Sequence, residues 1–324
     1  MSSLHLVFEY GRPLPETRYG GTERVIYALM KALIELGHKV TLISPPPGDL
    51  IQKEGIGWIN RETREQWTDL IPSNADLLHL SSHPKSLEIP VLVTQHGHPK
   101  EGEVLHPNTV FISKKHASLY GSNTFVYNGI DLSEYPFLPK KLNQNHFLFL
   151  GKGRWAVKNL KGCIEAIKKT DHDLHIAGGR AFSSLWNPHI HSYGIVDQKK
   201  KIQLLQQCDA LLFPVRWHEP FGLAIIEAMA MGLPVFGSPY GSLPELISPE
   251  TGVIVHNQSQ LIEAIESSYP FDSVTIRKFV ETHFNSLLMA KRYVELYKKI
   301  LNGISLHSQS ITVSKVSTQE LLPF

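Results

Sequence analysis

The amino-acid sequence predicts an α/β fold made of two doubly wound, Rossmann-like domains. Its 324 residues are too many for one typical compact core and suit two domains of about 150 residues each. Short apolar segments alternate with amphipathic helical segments along both halves, and such alternation is typical of parallel sheets covered by helices. A linker rich in proline and asparagine separates the two series at Pro136, Pro139 and Asn143-Gln144-Asn145.

The first series opens with a predicted buried strand at residues 4–8, followed by a proline- and glycine-rich loop at residues 11–21. Thr22 is predicted to cap a helix that runs to Leu36 and carries one apolar stripe. The next strand, at residues 39–43, completes a βαβ unit. Doubly wound sheets bind ligands at the carboxyl ends of their strands, so the glycine loop is a candidate binding element. Further strands are predicted at residues 76–80, 90–94, 109–112 and 125–127.

The second series has predicted strands at residues 146–150, 173–177, 190–193, 210–213, 235–236 and 253–255. A final helix is predicted from Ser286 to Leu301, because its apolar residues recur at helical spacing. We therefore expect a first domain at residues 1–138 and a second at residues 139–285, followed by the helix at residues 286–302. The polar, serine-rich tail at residues 303–324 is expected to be loosely held.

Composition limits the classes of function. The net charge is +2 and the pI is about 8.4, which gives no indication of nucleic-acid binding, although scattered lysine doublets leave weak peripheral membrane contact open. The two cysteines, Cys163 and Cys208, lack metal-site spacing and suit a reducing compartment. Neither a membrane-spanning apolar segment nor a secretion signal is recognisable. A cytoplasmic location is therefore expected.

The most informative segment runs from Arg216 to Gly232 and carries two carboxylates eight positions apart, Glu219 and Glu227. Pro220 suits the first position of a helix, which would place Glu219 at the helix cap and Glu227 about two turns further along. The free N–H groups of a helix start attract phosphate. Either glutamate alone is more typical of a simple cap or a solvated side chain, but together they suit a phosphorylated, hydroxyl-rich ligand such as a nucleotide sugar.

Two cations follow the first strand of the second domain, again at a carboxyl end. Arg154 offers a planar fork and Lys158 a point charge, so the pair could grip a diphosphate. A lone lysine or arginine usually serves solubility, and Lys161 is an alternative partner for Arg154.

The Arg216–Gly232 segment resembles the E-x7-E signature of retaining glycosyltransferases of family 4, which have the GT-B fold. The resemblance extends from Gly20 to about Leu301. It implies two Rossmann-like domains that face each other across a cleft, with an acceptor domain first and a nucleotide-sugar donor domain second. It also implies that the final helix crosses back onto the first domain.

The same resemblance assigns roles to individual residues. Arg154 and Lys158 resemble a phosphate clamp usually written G-R…K-G, although Asn159 stands where the second glycine is expected. Glu219 would bind hydroxyls of the donor sugar, and His96 would face that sugar, so both are expected to be catalytic. The remaining donor-binding residues implied are Gly20 and Gly21 beside the phosphate, Tyr193 along the nucleobase, Glu227 at the ribose, and Phe221, Gly222 and Leu223 through their N–H groups.

The predicted function is transfer of a sugar, with retention, from a nucleotide-diphosphate donor to an acceptor hydroxyl in glycan or glycoconjugate synthesis. A UDP-sugar is the favoured donor, and the acceptor is a glycan, a lipid-linked glycan or a small molecule. Asp171-His172-Asp173 spells the D-x-D metal motif of the other main glycosyltransferase fold. It precedes a strand, away from the ligand edge, and Arg154 and Lys158 are available to offset the phosphate charge, so no metal is expected. No cofactor is expected either.

Three alternatives remain. A catalytically inactive GT-B subunit could serve binding or scaffolding, although the acids, the cations, the glycine loop and His96 are all present. A nicotinamide-dependent dehydrogenase would need a G-x-G-x-x-G loop after a strand, which the sequence lacks. A sugar-nucleotide epimerase could share the fold and would need no acceptor.

Overall fold

We describe a computed structural model over residues 3–14, 20–46, 50–61, 67–84, 87–180, 186–314 and 320–324. These residues divide into two units. The first comprises residues 3–14, 20–131 and 285–314, and the second comprises residues 132–284 and 320–324. The division falls after Asp131, earlier than the expected position 138, because Tyr135 is buried and bonded within the second unit.

The first unit is built on a six-stranded parallel sheet with the order β3-β2-β1-β4-β5-β7. This order is that of a doubly wound sheet. Its elements are β1 (His5–Glu9), α1 (Gly21–Glu35), β2 (Lys39–Ser44), α2 (Leu50–Lys53), β3 (Gly57–Asn60), β4 (Leu77–Leu80), β5 (Val91–Gln95), β6 (Val104–Leu105), β7 (Thr109–Phe111) and α3 (Lys114–Leu119).

The second unit repeats this architecture, with the order β10-β9-β8-β11-β12-β13 and all pairs parallel. The predicted α/β fold class, with a doubly wound parallel sheet in each half, is therefore confirmed. Its elements are β8 (His146–Leu150), α4 (Leu160–Ile167), β9 (Asp173–Ala177), β10 (Ile190–Gly194), α5 (Gln198–Gln207), β11 (Ala210–Phe213), α6 (Leu223–Ala230), β12 (Val235–Gly237), α7 (Leu243–Leu246), β13 (Gly252–Ile254), α8 (Gln258–Glu266) and α9 (Ser273–His283). The chain then adds α10 (Ser286–Leu301) and β14 (Ile311–Thr312) to the first unit.

Some short elements differ from the prediction. The strand expected at residues 125–127 is reduced to a single bridge between Phe111 and Phe125. Strand β3 was not predicted, because its residues are half-buried or exposed and show no clear apolar alternation. Among the described residues, no helix has the length and apolarity that crossing a bilayer requires.

Helix α10 packs against the first unit through a buried polar network. The hydroxyl of Tyr297 lies 2.6 Å from Nδ1 of His79, whose Nε2 lies 2.7 Å from Oγ1 of Thr94. The same Oγ1 lies 2.9 Å from the hydroxyl of Tyr293. Phe8 stacks on the His79 ring at 4.7 Å. Each of these polar groups has at least one hydrogen-bond partner, so the network positions the helix on the sheet.

This network predicts that the first unit loses stability in mild acid. Burial lowers the pKa of His79 from 6.5 to about 3. As the pH falls below 6.5, the His79 imidazole becomes protonated in the unfolded chain but stays neutral in the folded chain. The free energy of unfolding therefore falls by up to about 1.4 kcal/mol per pH unit. We expect a His79→Gln variant to show a shallower decline than the wild type between pH 6.5 and 5, measured by urea unfolding. Identical slopes would contradict a neutral, buried His79.

The tail has defined partners where the structure describes it. Strand β14 pairs antiparallel with β6 in the first unit. Phe324 packs against the apolar core of the second unit, which includes Phe147, Phe236 and Leu261. For these residues the expectation of a loosely held tail is not met, because strand pairing and core packing supply contacts that a polar sequence does not reveal.

Candidate functional site

Glu219 lies in the loop between β11 and α6, and not at a helix cap as the sequence suggested. Helix α6 begins at Leu223, and its N-cap is Gly222 with φ 88°. This left-handed conformation favours glycine, and a Cβ there would meet Cδ1 of Ile225 at 2.9 Å. The sharp turn at Gly222 delays the helix, so Pro220 is not its first residue and the predicted cap role of Glu219 is wrong.

The Glu219 carboxylate is held from one side. Its Oε2 accepts hydrogen bonds from Nζ of Lys158 at 2.5 Å and from Nε1 of Trp217 at 2.6 Å. The side chain is buried, and Gly241 packs so closely behind it that a Cβ there would meet the Glu219 nitrogen at 2.2 Å. Oε1 has no partner among the described residues. The carboxylate is thus oriented, with one oxygen available to accept from a ligand hydroxyl.

Glu227 has a similar arrangement in the middle of α6. Its Oε1 accepts from the Tyr135 hydroxyl at 2.6 Å and forms an ion pair with Nζ of Lys201 on α5. The side chains of Lys201 and Glu227 are 9% and 6% exposed, so this ion pair is buried. In the described part of the chain, Oε2 has no partner. In both glutamates, one carboxylate oxygen is therefore held by hydrogen bonds, and the other has no hydrogen-bond partner among the described residues.

A cavity of about 850 Å³ lies in the second unit at the carboxyl ends of β8, β9 and β10. Lys152, Arg154 and Arg180 line it, and its described lining contains no carboxylate. Arg154 is exposed and has no ion-pair partner among the described residues, while Nζ of Lys152 lies 4.4 Å from the centre of the Trp155 ring. This concentration of positive charge favours an anionic ligand. The other lining residues are Gly153, Trp155, Gly178, Gly179, Tyr193, Gly194 and Ile195.

Glycines let the backbone of this cavity pack closely. Gly178 has φ 95°, and a Cβ there would meet the carbonyl oxygen of Gly151 at 2.2 Å. Gly153 and Gly179 face each other, so that a Cβ on Gly153 would lie 3.2 Å from the Gly179 Cα. Side chains at these positions would push apart the loops that follow β8 and β9. The Gly178-Gly179-Arg180 loop was not predicted as a binding element, although its position directly after a strand indicated one.

The structure distinguishes the two candidate lysines. Lys158 is 12% exposed and paired with Glu219, whereas Lys161 is 88% exposed and lies 3.7 Å from Glu165 on its own helix. Asn159 has φ 57°, caps α4 by accepting from the Gly162 nitrogen, and donates to the carbonyl of Pro214. Asparagine tolerates this left-handed conformation better than other non-glycine residues. Asn159 therefore occupies a left-handed backbone position, which glycine also adopts readily.

Tyr193 is the last residue of β10 that has a side chain, and it lines the cavity. Its hydroxyl lies 3.0 Å from Nδ1 of His175, and Nζ of Lys200 lies 4.8 Å from the centre of its ring. Burial raises the pKa of the phenol, so the ring stays neutral at physiological pH.

A side-chain hydrogen bond holds the residues just before α6. Phe221 is buried, and its carbonyl accepts from Oγ of Ser242 at 2.6 Å. Leu223 is the first helical residue and is half-buried. Of the three residues whose N–H groups were predicted to bind an anion, only Leu223 belongs to the first turn of α6, because Gly222 is its N-cap and Phe221 precedes the cap.

Three predicted residues belong to the first unit. Gly20 is the N-cap of α1 in an extended conformation (φ −173°), and Gly21 is the first helical residue. No side chain caps this helix, so the cap predicted at Thr22 is wrong. His96 follows β5 and is half-buried. Burial lowers its pKa to about 4, so its imidazole is neutral near pH 7.

The D-x-D sequence has another role. Asp173 begins β9, at the amino edge of the sheet, and its carboxylate lies 3.0 Å from Nδ1 of His189 and 3.3 Å from Nδ1 of His146. No cluster suited to holding a metal ion occurs within the described ranges.

Known proteins resemble this chain in fold and, in part, in sequence. An uncharacterised 41.2 kDa protein of the cps region of Klebsiella pneumoniae is 29% identical over 194 residues, which are 53% of this chain and 54% of that protein. The chain thus spans about half the length of this curated relative.

Among solved structures, AviGT4, a glycosyltransferase involved in avilamycin A biosynthesis, has a TM-score of 0.76 at 19% identity, over 93% of this chain and 99% of that one. HepE from Anabaena, solved in complex with UDP-glucose, has a TM-score of 0.66 at 14% identity, over 91% of this chain and all of that one. Residues 134–269 match the family model described as Glycosyl transferases group 1. The second unit thus carries the sequence pattern of group 1 glycosyl transferases, on a fold shared with solved glycosyltransferases.

Proposed function

We propose that this protein is a retaining glycosyltransferase of the GT-B fold and family 4, which moves a sugar from a nucleoside-diphosphate donor to an acceptor hydroxyl. The observation that supports the proposal most directly is that the carboxylates of Glu219 and Glu227 are held in the same way. Each carboxylate is anchored through one oxygen by a lysine, and each keeps its other oxygen without a described partner. The match to group 1 glycosyl transferases over residues 134–269 supports it.

The cavity suits the donor diphosphate. Arg154 would form two parallel hydrogen bonds to phosphate oxygens, and Lys152 and Arg180 would add positive charge from the facing loops. Tyr193 would lie along the nucleobase. A UDP-sugar is the favoured donor.

The two acids would bind donor hydroxyls. Glu219 would accept from the sugar and Glu227 from the ribose, while Lys158 holds Glu219 and moderates its charge. By the family resemblance, His96 would contact the donor sugar as a neutral imidazole, and the Gly20-Gly21 backbone would lie against the phosphate.

The reaction breaks the bond between the anomeric carbon and the phosphate oxygen. Negative charge grows on the leaving diphosphate, where Arg154, Lys158 and the N–H groups near Phe221, Gly222 and Leu223 would stabilise it. The acceptor oxygen then bonds to the same face of the anomeric carbon, and its proton passes to an oxygen of the leaving phosphate. Because Lys152, Arg154 and Arg180 would offset the diphosphate charge in the cavity, we expect no metal ion to be required.

A nucleotide panel tests the donor site. We expect one of UDP, GDP and ADP to raise the melting temperature by several degrees, because ligand at about 100 times its Kd adds about 2.7 kcal/mol. EDTA should leave the shift unchanged. Arg154→Ala should abolish it, while Lys161→Ala, which removes an exposed charge on α4, should keep it. If no nucleotide shifts the wild type, a binding or scaffolding role becomes the better account.

A further inference from the structure

The last described residues of the chain, 320–324, dock against the loop that carries Glu219; we call them the end segment. The N–H of Leu322 donates to the carbonyl of Arg216 at 2.9 Å. In return, Nε of Arg216 donates to the carbonyl of Leu322 at 2.7 Å. The Tyr240 hydroxyl donates to the carbonyl of Pro323 at 2.6 Å. Three hydrogen bonds and the packing of Phe324 on the core hold this segment in the second unit.

Arg216 connects the end segment to both partners of the ion pair. Its N–H donates to the carbonyl of Val157 at 2.7 Å, and Val157 immediately precedes Lys158. On its other side Arg216 is followed by Trp217, which bonds Oε2 of Glu219. One backbone position therefore ties the end segment to Lys158 and to the loop of Glu219.

A second connection between the end segment and Glu219 runs through Tyr240 and Gly241. Tyr240, which donates to Pro323, is followed by Gly241 with φ 64°. The backbone of Gly241 presses against that of Glu219, and the next amide, of Ser242, donates to the Glu219 carbonyl at 3.0 Å. The end segment thus supports Glu219 through two separate contacts, one at Arg216 and one at Tyr240.

We propose that the end segment is a positioning element for the transfer reaction, and that Leu322 and Arg216 are positioning residues for the Glu219–Lys158 pair. The inference rests on the proposed function of that pair. Neither residue needs to touch the donor, because small displacements of a catalytic group lower turnover strongly while leaving the fold intact.

Backbone substitutions separate positioning from side-chain packing. Leu322→Pro removes the N–H that Arg216 accepts, whereas Leu322→Ala shortens the side chain and keeps that N–H. Leu321→Pro is the matched proline control, because the N–H of Leu321 has no partner in the described part of the chain and its side chain is 47% exposed. Tyr240→Phe removes the other anchor by a single hydroxyl and serves if Leu322→Pro folds poorly.

Hydrogen exchange and turnover are measured on variants of the whole 324-residue chain. We expect Leu322→Pro and Tyr240→Phe to speed amide exchange in peptides covering residues 155–160 and 214–221. We also expect them to lower kcat about tenfold, with the donor KM changed less than threefold. Leu321→Pro should match the wild type in both measurements, and Leu322→Ala, which keeps the N–H, should leave amide exchange in the two peptides unchanged.

The outcomes are separable. If exchange in the two peptides is the same in Leu322→Pro, Leu322→Ala and the wild type, the end segment does not order the pair and the inference is overturned, whatever the activity. If exchange changes but kcat stays at the wild-type value, positioning for catalysis is likewise overturned. If the wild type neither binds nor consumes any nucleotide sugar, the proposed function fails, while the exchange result still decides whether the segment holds the loop.

Discussion

Replacing Glu219 by glutamine is expected to lower kcat for sugar transfer about 100-fold. The amide keeps the size of the carboxylate but loses the charge that Lys158 and Trp217 anchor. Hydrogen bonds to charged groups contribute about 1.5–3 kcal/mol, and about 2.7 kcal/mol corresponds to a factor of 100 in rate. The measurement is release of nucleoside diphosphate from the donor under saturating conditions.

The matched control is Glu165→Gln. Glu165 lies on α4 of the same unit, is 51% exposed and pairs only loosely with Lys161. Such exposed pairs contribute little, so this variant should stay within twofold of the wild type. Equal activity of the Glu219 and Glu165 variants would exclude Glu219 from the reaction.

Replacing Lys201 by methionine is expected to cause a large loss of stability, about 3–5 kcal/mol. Methionine retains most of the volume of lysine, but it leaves the Glu227 carboxylate buried with only the Tyr135 hydroxyl as its described partner. Breaking a buried ion pair by removing one partner costs about this much, because the remaining charge is uncompensated. Urea unfolding measures the change.

Two further variants assign the cause of this loss. Lys199→Met removes the same charge from an exposed position on α5 and should change the free energy of unfolding by less than about 0.5 kcal/mol. Lys201→Met combined with Glu227→Gln removes both charges and should recover most of the loss. If the double variant is as unstable as Lys201→Met alone, packing of the lysine stem and not its charge stabilises α5 on α6.

The sequence was sufficient to predict the fold because the elements of both sheets have strong local signals. The apolar runs at residues 146–150 and 173–177 coincide with β8 and β9, and the helical spacing from Ser286 to Leu301 coincides with α10. The sequence did not predict short or half-buried elements such as β3, because their apolar patterns are weak.

The details of the candidate site were harder to predict. Pro220 indicated a helix start, but a left-handed Gly222 moved that start to Leu223, and a positive φ is not visible in residue types alone. The partners of Glu227 lie 26 and 92 residues away, so only tertiary packing could reveal them. Arg180, by contrast, follows a strand in the same way as Arg154 and was predictable from the same rule.

The most direct test of the proposed reaction follows the anomeric proton by NMR while the protein consumes a nucleotide sugar in the presence of a mixture of simple glycoside acceptors. We expect one nucleoside diphosphate to be released and the new glycosidic bond to have the anomeric configuration of the donor. We also expect Glu219→Gln to slow both events together. A product with inverted configuration would contradict retention, and a donor that stays intact with folded, nucleotide-binding protein would contradict sugar transfer itself.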